Sequence, residues 1–179
     1  MNAMSFRIKL IVVCASLAAT VFAFDQLAVR TPLLPDKERK PAPTFTLEDA
    51  TGKTAQLGDY HGKVLVLDFW ATWCTGCKQE IPWFSQFEKR YSKKGLAVVG
   101  VSMDDKGWTV VKPFLAETHV PYRMVLGNDA MAQRYGIENM PDTFLIDRQG
   151  RIAAAYRAGL VDRENIEENI KTLLAESQE

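Results

Sequence analysis

Hydrophobic residues in the chain form two continuous runs on either side of a segment with helical periodicity. The runs KVLVLDFWA, residues 63 to 71, and LAVVGVS, residues 96 to 102, are rich in valine and leucine, which is typical of strands buried on both faces. Between them, apolar side chains recur every three or four residues, at Ile81, Phe84, Phe87 and Tyr91. This spacing predicts a helix from Cys74 to about Lys94 that ends at Gly95. Two buried strands joined by a helix form a parallel crossover unit.

The rest of the chain adds shorter elements around this unit. A hairpin is predicted on each side of it, one from Phe45 to Leu57 and one from Thr143 to Tyr156, which turns at Arg148-Gln149-Gly150. The other predicted elements are a helix from Thr109 to about Thr118, a short strand from Val120 to Leu126, a helix from Asn128 to Tyr135 and a closing amphipathic helix from Arg163 to Glu176. This order indicates an α/β fold with a central mixed sheet flanked by helices.

The N-terminus has the pattern of an export signal. Arg7 and Lys9 precede an uncharged run from Leu10 to Phe24, and fifteen residues are short for a membrane span, which needs about 20. Residues 1 to 24 are therefore a cleaved signal peptide or a signal anchor retained in the membrane. Residues 25 to 42 are rich in proline and charge and are predicted to be a linker, which leaves residues 43 to 179 for the folded domain.

Composition and charge narrow the class of protein. Of the 179 residues, 47% are hydrophobic and 25% are charged, which suits one globular domain plus a short extra segment. The formal net charge is zero, and outside the leader 20 basic residues face 22 acidic ones. Because nucleic-acid binding usually requires a basic face or stripe, we expect no nucleic-acid partner.

The cysteines carry the chemistry that the sequence suggests. Cys14 is interpreted as an ordinary apolar residue of the leader, so Cys74 and Cys77 are the only thiols of the predicted domain. A disulfide between them closes a very small ring and adds little loop-closure stability, and a zinc ribbon would need a second C-x-x-C pair. Cys74 falls where a strand ends and a helix begins, where backbone N–H groups and the helix dipole stabilise a thiolate. We therefore expect Cys74 to be a nucleophile and Cys77 to be the resolving thiol.

Three further residues are candidates for adjusting this centre. Asp68 lies inside a buried strand, so its carboxyl has either a raised pKa or a partner, and it could take the proton of Cys77. Glu80 lies three residues after Cys77 on the same helix and is either an acid or base for that thiol or an exposed surface acid. Trp73 offers an apolar surface to a protein substrate or packs in the core.

The segments DFWATWCTGCKQEIP and MPDTFLIDRQGRI resemble the thioredoxin superfamily. APTFTLEDATGK and GVSMDD are similar to its exported, membrane-tethered TlpA/ResA-like thiol:disulfide oxidoreductases. The resemblance implies a thioredoxin-like fold with an N-terminal hairpin and a central insertion over residues 103 to 137. It places the active site at Cys74 and Cys77 and gives Glu80 a functional role. Asp142 stands where that family more often has a small hydroxyl residue.

The same resemblance implies which residues bind substrate. Trp73 precedes the cysteine pair, and Pro141 after Met140 corresponds to the cis-proline that pairs with the substrate backbone. The redox-active disulfide Cys74–Cys77 would be the only redox group, with no organic cofactor and no metal. We expect an exported enzyme, periplasmic or on the extracytoplasmic face of the membrane, that reduces protein disulfides, for example in cytochrome c maturation. A membrane electron donor of the CcdA/DsbD type would recharge it.

Two alternatives share the expected fold. A peroxiredoxin-like antioxidant enzyme needs threonine or serine three residues before its reactive cysteine, and Ala71 occupies that place here. A Sco-like copper metallochaperone uses C-x-x-x-C and a distant histidine, whereas this chain has C-x-x-C and two histidines, His61 and His119, which we expect at the surface.

Overall fold

The computed structural model of the protein describes residues 30 to 158 and 162 to 176. The predicted leader, residues 1 to 24, lies outside the described residues. The strands are β1 Lys40–Pro41, β2 Thr46–Glu48, β3 Thr54–Gln56, β4 Val64–Trp70, β5 Leu96–Ser102, β6 Arg123–Leu126, β7 Asp142–Ile146 and β8 Arg151–Tyr156. The α-helices are α1 Thr75–Tyr91, α2 Trp108–Thr118, α3 Asp129–Tyr135 and α4 Arg163–Ala175. Short 3₁₀ helices cover Asp36–Glu38, Leu57–Tyr60 and Ser92–Lys94.

The central sheet is mixed, as the sequence predicts. Six strands are ordered β1-β8-β7-β4-β5-β6, with β4, β5 and β6 parallel and the other neighbours antiparallel. Strands β4 and β5 lie inside the sheet, and all their residues are buried, which explains their unbroken apolar sequences. Strands β2 and β3 form a separate antiparallel hairpin, also as predicted.

The core occupies both faces of this sheet because side chains along each strand alternate between faces. On one face, Val66, Trp70 and Val98 pack with residues of α1, α2 and α4. On the other face, Leu67 and Val99 pack with residues of α3 and of the β2–β3 hairpin. Helix α1 therefore lies directly over β4 and β5, which places its first turn at the carboxyl end of β4.

The ends of α1 follow from its sequence. Cys74 is the N-cap residue, with an extended backbone and a side chain that accepts a hydrogen bond from the N–H of Cys77. The helix tightens into a 3₁₀ turn and stops at Gly95, whose φ of 97° lies in the left-handed region that glycine adopts at little cost. The predicted start and stop of this helix are confirmed.

The N-terminal linker is shorter than the sequence predicts. Leu34 donates its N–H to the carbonyl of Ala153 at 2.8 Å, and β1 pairs with β8. Arg39 is buried and forms ion pairs with Asp147 and Glu176. This segment covers an edge of the sheet with polar residues that are satisfied by distant partners, and local composition does not reveal such partners.

One strand is also shorter than predicted. Strand β6 begins at Arg123 rather than at Val120, because Pro121 has no N–H to contribute to the ladder. Across the described part of the chain, no helix has the length and hydropathy needed to cross a membrane.

Candidate active site

Cys74 and Cys77 form a disulfide at the carboxyl end of β4. Their Cα atoms are 5.3 Å apart, and the N–H of Cys77 lies 3.1 Å from Sγ of Cys74. The helix therefore aims an N–H group and the positive end of its dipole at the sulfur of Cys74, and both stabilise a thiolate there once the disulfide is reduced. Cys77 is fully buried behind it, and Cys74 is 6% exposed. Of the two sulfurs, Cys74 is the one a substrate can reach.

The surroundings of Cys74 combine an exposed aromatic ring with a close proline. Trp73 is 67% exposed, so of its two predicted roles the structure places it on the surface rather than in the core. The bond between Met140 and Pro141 is cis, as the resemblance implied. The Pro141 ring lies against Gly76: a Cβ at Gly76 would be 3.3 Å from Cδ of Pro141. The glycine between the cysteines thus allows the proline to approach the disulfide.

Asp68 lies on β4, one of the inner strands of the sheet. Its side chain is fully buried, and the hydroxyl of Thr143 on β7 donates a hydrogen bond of 3.2 Å to Oδ1. Within the described part of the chain, Oδ2 has no partner. Burial raises the pKa of Asp68 to about 7, and the Thr143 hydrogen bond opposes the shift. Both expectations for Asp68 therefore hold in part: it has one weak partner and a raised pKa.

Glu80 points inward from α1. The residue is only 4% exposed, so the alternative of an exposed surface acid is wrong. Burial raises the pKa of Glu80 to about 8, and the negative charges of Asp68 and Asp142 add to the shift. Its Oε2 also has no hydrogen-bond partner among the described residues. Two buried carboxyls with pKa values raised to near neutral thus lie on β4, which ends shortly before the cysteine pair, and on α1, which begins at it.

Sequence reasoning did not assign a role to Asp142, which follows the cis-proline. It is buried, accepts a hydrogen bond of 2.6 Å from Nη1 of Arg157 and another of 3.1 Å from the N–H of Ala158. A cavity of about 320 Å³ opens beside it. Its lining residues are Gly136, Glu138, Asn139, Asp142, Arg157 and Ala158. The unusual aspartate after the proline was the available signal.

Asp104 is a second residue whose role the sequence did not indicate. Its carboxylate accepts hydrogen bonds from the N–H and hydroxyl of Thr72, at 2.9 and 2.6 Å, and from the hydroxyl of Ser102 at 2.9 Å. These bonds tie the segment before Trp73 to the end of β5. Asp104 therefore holds the approach to α1 in place.

The two histidines lie apart from the cysteines in the chain and at the surface, as expected. His61 is exposed, and exposed His119 ends α2 with its Nδ1 3.1 Å from the carbonyl oxygen of Glu117. In residues 30–158 and 162–176, no group of three or more histidine, cysteine, aspartate or glutamate side chains could hold a metal ion. Ala71, three residues before Cys74, is buried and carries no hydroxyl.

Comparison with known proteins assigns this arrangement to a family. Residues 38 to 155 match the AhpC/TSA family. The chain belongs to this family, within the thioredoxin superfamily. It is 30% identical over 135 residues to the thiol-disulfide oxidoreductase ResA of Bacillus thuringiensis subsp. konkukian, covering 75% of this chain and 77% of the relative. To ResA of Bacillus subtilis it is 34% identical over 116 residues, 64% of each chain.

Solved structures give the same result. A Chlorobium tepidum protein assigned as the thiol:disulfide interchange protein DsbE is 34% identical, with a TM-score of 0.69 over 76% of this chain and 97% of the other. A thiol-disulfide oxidoreductase structure from Bacteroides vulgatus is 31% identical, with a TM-score of 0.67 over 74% and 94%. The predicted thioredoxin-like α/β fold is confirmed, and the protein is a thiol-disulfide oxidoreductase.

Proposed function

We propose that this oxidoreductase reduces disulfide bonds in other proteins, with Cys74 as the nucleophile and Cys77 as the resolving thiol. The observation that carries the proposal is the position of Cys74 as the N-cap of α1, with Cys77 buried behind it. The start of the helix stabilises the sulfur of Cys74 as a thiolate. Burial prevents the sulfur of Cys77 from meeting the substrate disulfide, so Cys77 acts in the second step.

The first step is attack on the substrate. The Cys74 thiolate attacks one sulfur of the substrate disulfide, so a new S–S bond joins Cys74 to the substrate and the second substrate sulfur leaves as a thiolate. The exposed Trp73 and the segment Met140–Pro141 border Cys74, and we assign the docking of the substrate chain to them.

The second step releases the product. Cys77 gives up its proton and attacks Sγ of Cys74, which breaks the mixed disulfide, forms the Cys74–Cys77 disulfide and frees the substrate as its second thiolate. A buried thiol loses its proton only with difficulty, because burial disfavours the charged form. We assign the role of proton acceptor to Asp68 and Glu80, whose pKa values of about 7 and about 8 suit a base working near neutral pH.

The cellular location and the redox partners are proposed from the N-terminal sequence and from the family resemblance. The uncharged run after Arg7 and Lys9 supports export, so the domain would act in the periplasm or on the extracytoplasmic face of the membrane. An enzyme that becomes oxidised in each cycle needs a reductant, and the resemblance to TlpA/ResA-like proteins favours a membrane donor of the CcdA/DsbD type. The same resemblance favours apocytochrome c among its clients.

Insulin reduction by the purified protein tests the assignment of the two sulfurs. Cys74→Ser abolishes turnover, because the remaining thiol, Cys77, is buried out of reach of the substrate, whereas Cys77→Ser accumulates a mixed disulfide visible by mass spectrometry. Full turnover in Cys74→Ser would contradict the proposal.

The direction of electron flow requires a separate titration against glutathione and dithiothreitol buffers. A reductant has a potential well below that of protein disulfide isomerase, about −180 mV, and an oxidant lies near about −120 mV. A value near the oxidant limit would overturn the direction while leaving the roles of the cysteines intact.

A further inference from the structure

Tyr122 is a buried ionisable residue that the steps above do not use. It precedes β6, is 7% exposed and belongs to the hydrophobic cluster that also contains Cys74, Cys77 and Trp70. Its hydroxyl has no hydrogen-bond partner in the described part of the chain. A buried hydroxyl without a partner is costly, so its presence requires an explanation.

The register of the sheet places Tyr122 on the same face as Asp68. Asp68 on β4 is opposite Gly100 on β5, and Gly100 is opposite Met124 on β6. Tyr122 lies two residues before Met124, so it follows the same alternation toward the face that α1 covers. Residue 100 is glycine, so the Met124 side chain and the indole Nε1 of Trp70, rather than a β5 side chain, occupy the space beside it on this face.

Glu80 lies on α1, the helix that covers this face of the sheet. It lies one turn after Cys77 on α1, and its side chain is buried. The three elements therefore carry three buried oxygen atoms without partners among the described residues: Oδ2 of Asp68, Oε2 of Glu80 and the hydroxyl of Tyr122. Burial raises the pKa of Tyr122 well above its ordinary value, and the negative charges of Asp68 and Glu80 add to the shift.

These three groups differ in whether they can donate a hydrogen bond. An ionised carboxylate only accepts hydrogen bonds, whereas a phenol can donate one. With the pKa of Tyr122 well above its ordinary value, the phenol stays protonated throughout the neutral range. When Asp68 and Glu80 are both ionised, Tyr122 is the group among these three that can donate.

We propose that Tyr122 positions and stabilises the ionised Asp68–Glu80 pair by donating a hydrogen bond, directly or through one water, and thereby sets the pH at which the pair accepts the Cys77 proton. The inference rests on the proposed function. Tyr122 acts through the carboxyls and does not touch the substrate, so it is a positioning residue. Among the described residues, Asp142 on β7 also acts on Glu80 through its negative charge, and it is paired with Arg157.

The test is the pH dependence of the resolving step in Tyr122→Phe. The substitution keeps the ring and removes only the donor, so the ionised carboxyls become less stable and their pKa values rise. We expect the pH midpoint for release of product from the mixed disulfide to move up by about one unit, and the rate below the midpoint to fall about tenfold. Stopped-flow measurement from pH 5.5 to 9.5 gives both values.

Tyr156→Phe is the matched control. Tyr156 is also buried in the same cluster, but its hydroxyl accepts a hydrogen bond from the side-chain amide of Asn169 on α4, so this variant changes stability without moving the midpoint. An unchanged midpoint in Tyr122→Phe would overturn the inference, provided that the parent protein reduces insulin. Failure of the parent to reduce insulin would instead remove the proposed function.

A double substitution distinguishes positioning from general loosening of the core. In an Asp68→Asn/Glu80→Gln background, Tyr122→Phe should cause no further shift of the midpoint, since there is no carboxylate left to stabilise. A further shift of the same size in that background would also overturn the inference, because Tyr122 would then act independently of the carboxyls.

Discussion

Asp68 and Asp147 are both buried aspartates, but they lie toward opposite ends of the strands and differ in their charged partners. Asp68 is on β4 opposite Thr143, near the start of β7, whereas Asp147 follows the end of β7. Asp147 accepts hydrogen bonds from the N–H groups of Gln149 and Arg151, at 3.0 and 2.9 Å. The guanidinium of Arg151, at 2.8 Å, and that of Arg39, at 3.4 Å, neutralise its charge. Asp68 has one donor, Thr143, at 3.2 Å, and no cation among its described contacts.

The difference distinguishes a carboxylate that stabilises the fold from a carboxyl that can exchange a proton near neutral pH. A buried carboxylate with two N–H donors and two guanidinium groups stays charged and ties together segments far apart in the chain. A buried carboxyl with a single weak donor keeps its proton up to about neutral pH.

The largest effect on stability is expected at Asp147, the aspartate with charged partners. Asp147→Ala leaves buried Arg39 with two partly or fully exposed acids as its charged partners among the described residues, Glu176 at 2.7 Å and Asp36 at 4.0 Å, so the free energy of unfolding should fall by about 3 to 5 kcal/mol. Insulin reduction per folded molecule should be unchanged, because the disulfide is at the other end of the sheet. Urea denaturation and an activity assay measure these two quantities.

Asp36→Ala is the matched control for that variant. Asp36 pairs with Arg151 through an exposed carboxylate that solvent screens, so its removal should lower the free energy of unfolding much less than Asp147→Ala does. Equal losses in the two variants would contradict the structural role assigned to Asp147.

Substitution of Asp68, the aspartate without a charged partner among the described residues, should instead raise the free energy of unfolding. From about pH 4 to about pH 7 the folded protein holds the Asp68 proton and the unfolded chain does not, so the parent loses stability as pH rises through this window. Asp68→Asn removes that loss and should raise the free energy of unfolding at pH 8 by on the order of 2 to 3 kcal/mol, with little change at pH 4. Denaturation curves at both pH values measure it, and a destabilised variant at pH 8 is the contrary result.

Glu80→Gln should act on the reaction rather than on the fold. Loss of a proton acceptor next to Cys77 should slow the resolving step at least tenfold at pH 8, while the reaction of Cys74 with substrate stays within about twofold. Glu117→Gln, at an exposed position on α2, is the control and should change neither rate. Equal slowing of both steps in Glu80→Gln would argue against a role confined to Cys77.

The smallest effect is expected at the rim of the site. Trp73→Ala should raise KM for protein disulfides a few-fold and leave the reduction of a small aromatic disulfide unchanged, because the exposed ring is assigned to docking. The free energy of unfolding should change by less than about 0.5 kcal/mol, as is usual for exposed side chains. An equal loss with both substrates would assign Trp73 to the reaction itself.

Much of this contrast could be predicted from the sequence, where the signal is local. The buried strand around Asp68, the helix that begins after Cys74 and the stop at Gly95 each follow from short-range patterns of apolar residues and helix caps. The burial of Glu80 needed the packing of α1 on the sheet. The sequence alone therefore allows two alternatives for Glu80, an acid or base for Cys77 and an exposed surface acid.

The contacts that the sequence did not indicate all join distant segments. Arg39 meets Asp147, 108 residues away, and this pairing turns half of the predicted linker into part of the domain. Tyr122 reaches the face of Asp68 only because β6 pairs with β5 in one particular register. No spacing within either segment reports such a pairing.

The most direct test of the account is the pH profile of the resolving step in the parent and in Asp68→Asn/Glu80→Gln. We predict that the parent rate rises with a midpoint between about pH 7 and 8, where the two carboxyls ionise. In the double variant the midpoint should move to or above that of an ordinary thiol, about 8.5. The same midpoint in both proteins would contradict the claim that the buried carboxyls accept the Cys77 proton.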